Sequence, residues 1–269
     1  MRWVIETLSF TLLDDICLGL QSGALSTSQI PETRADELGP LLELHHAGVL
    51  PAPTSRWLSA GMLAPLLVNM AARGKWFSPS QEAQGFVTIP AIKSDQTAET
   101  EFEMRAKRAA SFAGFSSDEA GKLAAAIGEF RSNILEHSQK EDSGYLAYSS
   151  RPGQFEFVVA DAGIGVLESL RSHPGYAHLT DAGTALERAV AEGVSRFHDQ
   201  RDRGFGFRPV FVGLANIARL VRFRSEDHCR EVLRAANGSI TASTSQKAQL
   251  KGFFCSVACE ITNNRQRPE

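Results

Sequence analysis

The chain has 269 residues, 43% of them apolar, and 28 Lys plus Arg stand against 31 Asp plus Glu for a formal net charge of -3. That length supports one large domain or two smaller ones around a sizeable core. The balance of charge excludes a global basic field that would draw the chain to nucleic acid or an anionic membrane, though not a local patch.

At the N-terminus, Arg2 precedes an apolar stretch that Glu6, Asp14 and Asp15 interrupt, without the cleavage pattern of a signal peptide. The most hydrophobic window, 58–72, is too short to span a bilayer and contains Pro65 and Asn69. A cytoplasmic protein with no membrane or nucleic-acid partner is expected. LLELHHAGVL (41–50), PAPTSRW (51–57) and LSAGMLAPLLVNMAARG (58–74) predict helices joined by a Pro-rich turn. They belong to a mainly helical N-terminal region, residues 1–97, that shows no chemistry of its own. His45 and His46 are adjacent, hence about 100° apart on a helix, and have no carboxylate cluster beside them, which makes a poor metal site. VTIPAI is a candidate short strand, after which the composition turns polar and a boundary falls near residue 98.

From there the pattern becomes regular. EFEMRAKRAASFAG predicts a helix ending at Gly114, and Ser116 with Glu119 three residues later forms a capping box for the next one. In that second helix Ala120, Leu123, Ala124, Ile127, Phe130 and Ile134 recur at helical spacing. The period then switches to two in GYLAYSS (144–150) and FEFVVA (155–160), which RPGQ joins as a hairpin. DAGIG (161–165) and short helical segments follow, with one helix over 183–194 and another from Pro209 to about 220. LVRFR (220–224), REVLRAA (230–236) and GFFCSVACEI (252–261) predict three closing strands. Arg222 and Arg224 share one strand face, as a basic docking stripe or equally as a solvated sheet face. Cys17, Cys229, Cys255 and Cys259 are scattered and read as small buried hydrophobes; Cys255 and Cys259, four apart on a strand, are too distant to bridge.

Three pieces carry candidate chemistry. Glu129, Asn133 and His137 fall at successive i, i+4 positions and form one polar stripe. A carboxylate there could activate a hydroxyl or water, and an amide oxygen is a hard ligand for magnesium. The same stripe reads equally as the helix's wet face, with Glu129 paired to Lys122 or Arg131. Asp161, where an apolar strand ends, could accept from an adenine amino group, while Gly163 and Gly165 let the backbone turn closely around a ligand. A DxGxG alone is weak, since many strand-to-helix turns look alike. In RDRGFGF, Arg203, Gly204 and Gly206 stand just before a helix N-terminus and could cradle phosphate, or could lie in a solvated loop.

In this order the three pieces resemble the N, G1 and G2 boxes of the GHKL, or Bergerat-fold, superfamily: GEFRSNILEHS (128–138), VVADAGIGV (158–166) and RGFGF before GLANIARL. The resemblance implies Glu129 as general base and Asn133 as the magnesium ligand. It further implies that Asp161 recognises adenine and that Gly163 and Gly165 shape the pocket; His137, at the end of that helix, reads as a capping or site-lining residue. Arg203, Gly204 and Gly206 would sit near the phosphates, with an ATP lid over about 178–206. The implied fold is α+β, a two-layer α/β sandwich over 98–265 with a mixed, mainly antiparallel sheet and helices on one face, preceded by the smaller helical region. The implied cofactors are ATP and Mg2+. The implied function is a Mg-ATP-binding regulatory protein resembling the stand-alone anti-sigma-factor kinases, which phosphorylate a partner's serine or threonine. An ATP-gated interaction module and a histidine kinase lacking its own acceptor domain are the alternatives. A regulatory or substrate protein is the expected partner, and a homodimer is left open. Phe207 and Arg208 depart from the small residues common in the third motif.

Overall fold

The computed structural model describes residues 5–50, 57–79, 83–191, 214, 217–235 and 237–261. Strand β1 (Glu6–Thr7) leads into α1 (Phe10–Ser22), capped by Ser9, whose hydroxyl accepts the Leu12 N–H. β2 (Thr33–Arg34), α2 (Leu38–His46), β3 (Leu58–Ser59) and α3 (Ala64–Ala72) follow, and β1, β2 and β3 pair as a small parallel sheet. The main sheet opens with β4 (Lys75–Phe77) and β5 (Gln84–Thr88). Next come α4 (Ile89–Ser94), α5 (Ala98–Phe112) and α6 (Ser117–His137). The hairpin β6 (Tyr145–Arg151) and β7 (Gln154–Asp161) precedes α7 (Gly165–Arg171), α8 (Ala182–Ala191), β8 (Ala218–Arg234) and β9 (Ile240–Glu260).

The six strands of the main sheet lie in the order β4-β5-β6-β7-β9-β8, each neighbouring pair antiparallel. Alternation along the strands sorts their side chains between two cores. Leu146, Tyr148, Phe155, Phe157, Val159, Cys255 and Val257 pack with Phe102, Leu123, Ile127 and Phe130 of α5 and α6. Tyr145, Ala147, Val158, Ala160 and Phe254 face the opposite way, against Leu13, Leu38, Leu41, Leu42 and Leu66 of α1–α3. The antiparallel sheet with flanking helices agrees with the expected α+β class. Helices cover both of its faces, however, not one, because the N-terminal helices are laid on the second face. This explains why FEFVVA is apolar at nearly every position: a strand buried on both sides has no wet face.

Other boundaries shift for local reasons. The strand expected at VTIPAI ends at Thr88, whose hydroxyl accepts the Ala91 N–H and starts α4 with Pro90 in its first turn. β4 and β5 precede residue 98 yet pair into the main sheet, so hydrogen bonding crosses that position. The helix expected up to residue 220 gives way to β8 by Ala218, and its earlier part lies largely outside the described residues. The two strands expected at 220–224 and 230–236 are one strand, irregular around Ser225, Glu226 and His228, with Glu226 at φ 53°. β9 begins twelve residues before Gly252, at Ile240, because its outer half pairs with β8 as an exposed ribbon without apolar alternation.

Arg222 and Arg224 overturn both expectations for them: they are 1% and 2% exposed, beneath the N-terminal helices. Arg222 Nε and Nη2 donate to the two oxygens of Glu43 at 2.8 and 3.0 Å, and Nη2 also to Asp14 at 2.5 Å. Its Nη1 donates to Glu231 at 2.6 Å, and the guanidinium lies 4.5 Å from the centre of the Phe10 ring. Arg224 Nη1 reaches Glu43 at 2.9 Å, and Lys247 Nζ closes the group on Asp14 at 2.7 Å. All four cysteines are free and buried, and burial raises every thiol, Cys17 and Cys229 to about 12, which leaves them packing groups.

Removing one partner of a buried ion network strands the others without water. Glu43→Ala is therefore expected to lower unfolding stability by about 3–5 kcal/mol, measured by urea denaturation; a loss under about 1 kcal/mol would show that the arginines find other partners.

A second buried carboxylate, Glu156 on β7, accepts the Leu38 N–H at 2.6 Å and so caps α2 from across the interface. Burial, with Glu37 adding, pushes it up to about 7 against the pull of the Leu38 N–H and Arg151. A folded-state pKa raised above the ordinary 4.5 stabilises the fold at low pH, and the contribution is lost as pH rises through about 7. Glu156→Gln keeps an acceptor for Leu38 and cannot ionise. Its stability relative to wild type should thus rise by roughly 2.5 kcal/mol between pH 5 and pH 8, as read from paired denaturation curves.

Candidate functional site

α6 starts at its capping box, Ser116 and Glu119 exchanging side chain and backbone bonds, and buries Ala120, Leu123, Ile127, Phe130 and Ile134 against the sheet. Glu129, Asn133 and His137 follow the border of that buried stripe. Glu129 is exposed, and Asn133 and His137 are half-buried. The partners expected if Glu129 merely belonged to a wet face are engaged elsewhere: Lys122 pairs with Asp118 at 2.7 Å, and Arg131 with Glu99 of α5 at 2.7 Å. His137 is the last residue of the helix and Ser138 its C-cap.

Ser138 joins the helix to the strand-end loop. Its carbonyl accepts the Ile164 N–H at 3.0 Å, and its hydroxyl hydrogen-bonds the Asp161 carboxylate. Asp161 closes β7, only 3% exposed, with Oδ1 also accepting the Gly163 N–H at 2.7 Å. Burial raises its pKa above the ordinary carboxylate value, and the Gly163 and Ser138 bonds oppose the shift. A carboxylate has room for about four donors, so the two it holds leave capacity for an incoming amino group.

The rest of the loop is pinned residue by residue. Ala162 N–H donates to Ser143 Oγ at 2.8 Å, and Val166 N–H to Ser225 Oγ at 2.9 Å. Ser225 in turn donates to the Gly252 carbonyl at 3.1 Å. Gly163 admits no side chain, since a Cβ would run into the Ser138 carbonyl and hydroxyl. Gly252, at φ 74°, lies so close under Asp161 that a Cβ would overlap the Asp161 carbonyl. Gly165 adopts φ 79° where α7 begins. With the N–H groups of 162, 163, 164 and 166 committed internally, this loop is a shaped wall with one buried acceptor and not an anion cradle.

The structure thus brings together Asp161, Gly163, Gly165 and the end of the helix carrying Asn133 and His137. Glu129 stands two turns back along α6, about 12 Å from His137 at 1.5 Å rise per residue. Arg203, Gly204 and Gly206 lie outside the described residues, as does most of the expected lid; its start, α8, has an Asp181 cap that accepts the Thr184 N–H at 2.6 Å. Ser138, Ser143, Ser225 and Gly252 were not identified from the sequence. Ser138 alone had a local signal, following the stripe in EHS; the others are serines and a glycine whose roles depend on distant segments meeting. Among the described residues no helix is long and apolar enough to cross a membrane. None of the family models, the curated proteins or the solved structures compared with this chain matches it.

The fold and site define an antiparallel α+β protein with a buried acceptor at a strand end beside a polar helix stripe. Gly252→Ala would meet both the positive φ and the Asp161 carbonyl. It is expected to destabilise the protein by more than about 1 kcal/mol and to speed amide exchange in 161–166. Unchanged stability and exchange would show that the approach of β9 to the loop is slack.

Proposed function

We propose that this chain is a Mg-ATP-binding regulatory protein of the GHKL, or Bergerat, kind, and that it transfers the γ-phosphate to a serine or threonine of a partner protein. The observation that carries this reading is the junction at Ser138, which holds the end of the Glu129–Asn133–His137 helix against the Asp161 loop. On this reading one ligand would touch both. Asp161, buried and with acceptor capacity left, suits an adenine amino group, and the loop around Gly163 suits the flat base.

Asn133 is suited to magnesium because the ion favours oxygen ligands and usually takes only one or two from protein beside the phosphates. The described residues contain no cluster of three or more His, Cys, Asp or Glu side chains that could hold a metal ion. Bound magnesium would neutralise phosphate charge. Glu129, clear of Lys122 and Arg131, would orient the acceptor hydroxyl and take its proton. The hydroxyl oxygen would bond to the γ-phosphorus as the bond to the β–γ bridging oxygen breaks and ADP leaves. Arg203, Gly204 and Gly206 would supply the phosphate contacts that the committed N–H groups of 162, 163, 164 and 166 do not.

Calorimetric titration with Mg-ATP tests the site. Asn133→Ala should weaken binding at least tenfold, about 1.4 kcal/mol, and magnesium removal should do the same to wild type. Glu129→Ala should bind within about twofold of wild type yet lose phosphotransfer to a cognate acceptor. Saturable binding with no turnover by wild type favours an ATP-gated interaction module; no saturable binding by folded wild type overturns the proposal.

A further inference from the structure

The sequence assigns no chemistry to residues 1–97, yet one of their side chains reaches the candidate site through the sheet. His46 ends α2, on the face opposite α6. Its ring is half-buried between Tyr145 and Phe254, with ring centres 6.1 and 6.0 Å away. Nε2 donates to the Lys251 carbonyl at 2.9 Å, with the Asp161 backbone beside it as a weaker electrostatic partner.

Those two backbones form one tight assembly. Lys251 immediately precedes Gly252, which lies against Asp161 and Gly163 so closely that no side chain fits between them. The Gly252 carbonyl accepts from Ser225, the same hydroxyl that accepts the Val166 N–H. His46 therefore holds, from the N-terminal side, the β9 segment against which the Asp161 loop is built. Its own position is not free: one turn earlier on α2, Glu43 bridges Arg222 and Arg224, and Arg224 is followed directly by Ser225.

We infer that His46 is a positioning residue for the candidate nucleotide pocket, coupling the docking of α1 and α2 to the geometry of the Asp161–Val166 loop. The inference rests on the proposed ATP reading for its ligand, though not for its mechanics. The coupling is reciprocal: what orders the loop tightens α2, and what loosens α2 relaxes the loop. A partner that engages the N-terminal layer would thereby tune nucleotide affinity without entering the pocket, and nucleotide would alter the surface offered to that partner.

The test compares wild type, His46→Ala and His46→Gln by hydrogen exchange, with and without Mg and a non-hydrolysable ATP analogue, alongside calorimetric Kd values. The glutamine amide can still donate to Lys251. Without nucleotide, His46→Ala should speed exchange of the Ala162, Gly163, Ile164 and Val166 amides at least fivefold, with β5 and β6 unchanged. His46→Gln should return to within twofold of wild type. Nucleotide should slow exchange in α2 of wild type but not of His46→Ala, whose Kd should rise about fivefold or more.

Loop exchange equal to wild type in folded His46→Ala overturns the inference. So does a uniform rise across the sheet, which marks general destabilisation. Binding that depends on Asn133 but ignores His46, with α2 unaffected by nucleotide, overturns the coupling and leaves the ATP proposal standing. If wild type binds no nucleotide, the ATP proposal fails, and the ligand-free exchange comparison decides the mechanical coupling by itself.

Discussion

The arrangement of the chain depends on the ion network that Arg222 and Arg224 make with Glu43 and Asp14. Two guanidinium groups on a sheet face without access to water would be prohibitive alone, so the sheet requires the N-terminal helices as much as they require it. Hydrophobic contact would press α1 and α2 onto the sheet in several registers. Fixed forks on Arg222 and Arg224 and the two oxygens of Glu43 select one, because bidentate geometry tolerates little sliding. The Phe10 ring over Arg222 completes the enclosure from α1.

One consequence runs along β8. Alternation sends Arg222 and Arg224 towards the N-terminal layer and Ser225 towards the α6 layer, where it receives Val166 and binds Gly252. Adjacent residues on one strand thus hold the two layers. The candidate loop takes its shape from three serines on different elements, Ser138 after α6, Ser143 before β6 and Ser225 on β8. A loop braced from three directions presents Asp161 in one place without needing a ligand to organise it, which lowers the entropy cost of binding.

Much of this was legible in the chain itself where the cause was local. The capping box of α6, the 3.6-residue spacing behind it, the hairpin at RPGQ and the strand-end placement of Asp161 all follow from near neighbours, and the structure has each of them. What was not legible arises between distant segments. An arginine on a strand looks the same whether it faces solvent or a glutamate 179 residues away. The outer half of β9 has no apolar rhythm because it is an exposed ribbon, and the polar run SEDHC suggested a break where the strand passes through a bulge at Glu226. The N-terminal helices could be read as helices, but not their place on the second face of the sheet; the unbroken apolar character of FEFVVA was the trace of that cover.

The braced loop also constrains where phosphate charge could be met. A pocket that binds a polyanion needs donors aimed at it. Here the loop directs its N–H groups into serine oxygens, a carbonyl and its own aspartate. Arg171, at the end of α7, is turned to Glu168, and Arg230, on the outer half of β8, to Glu187. Under the proposed ATP reading, the base-recognising and charge-binding tasks would fall to different parts of the chain, the first to the Asp161 wall and the second to the segment proposed for it, with Arg203, Gly204 and Gly206. Such a division suits regulation. On that reading the wall would answer to the N-terminal layer through β8 and β9 and the second segment to the γ-phosphate, so that one pocket would integrate two signals carried by separate elements.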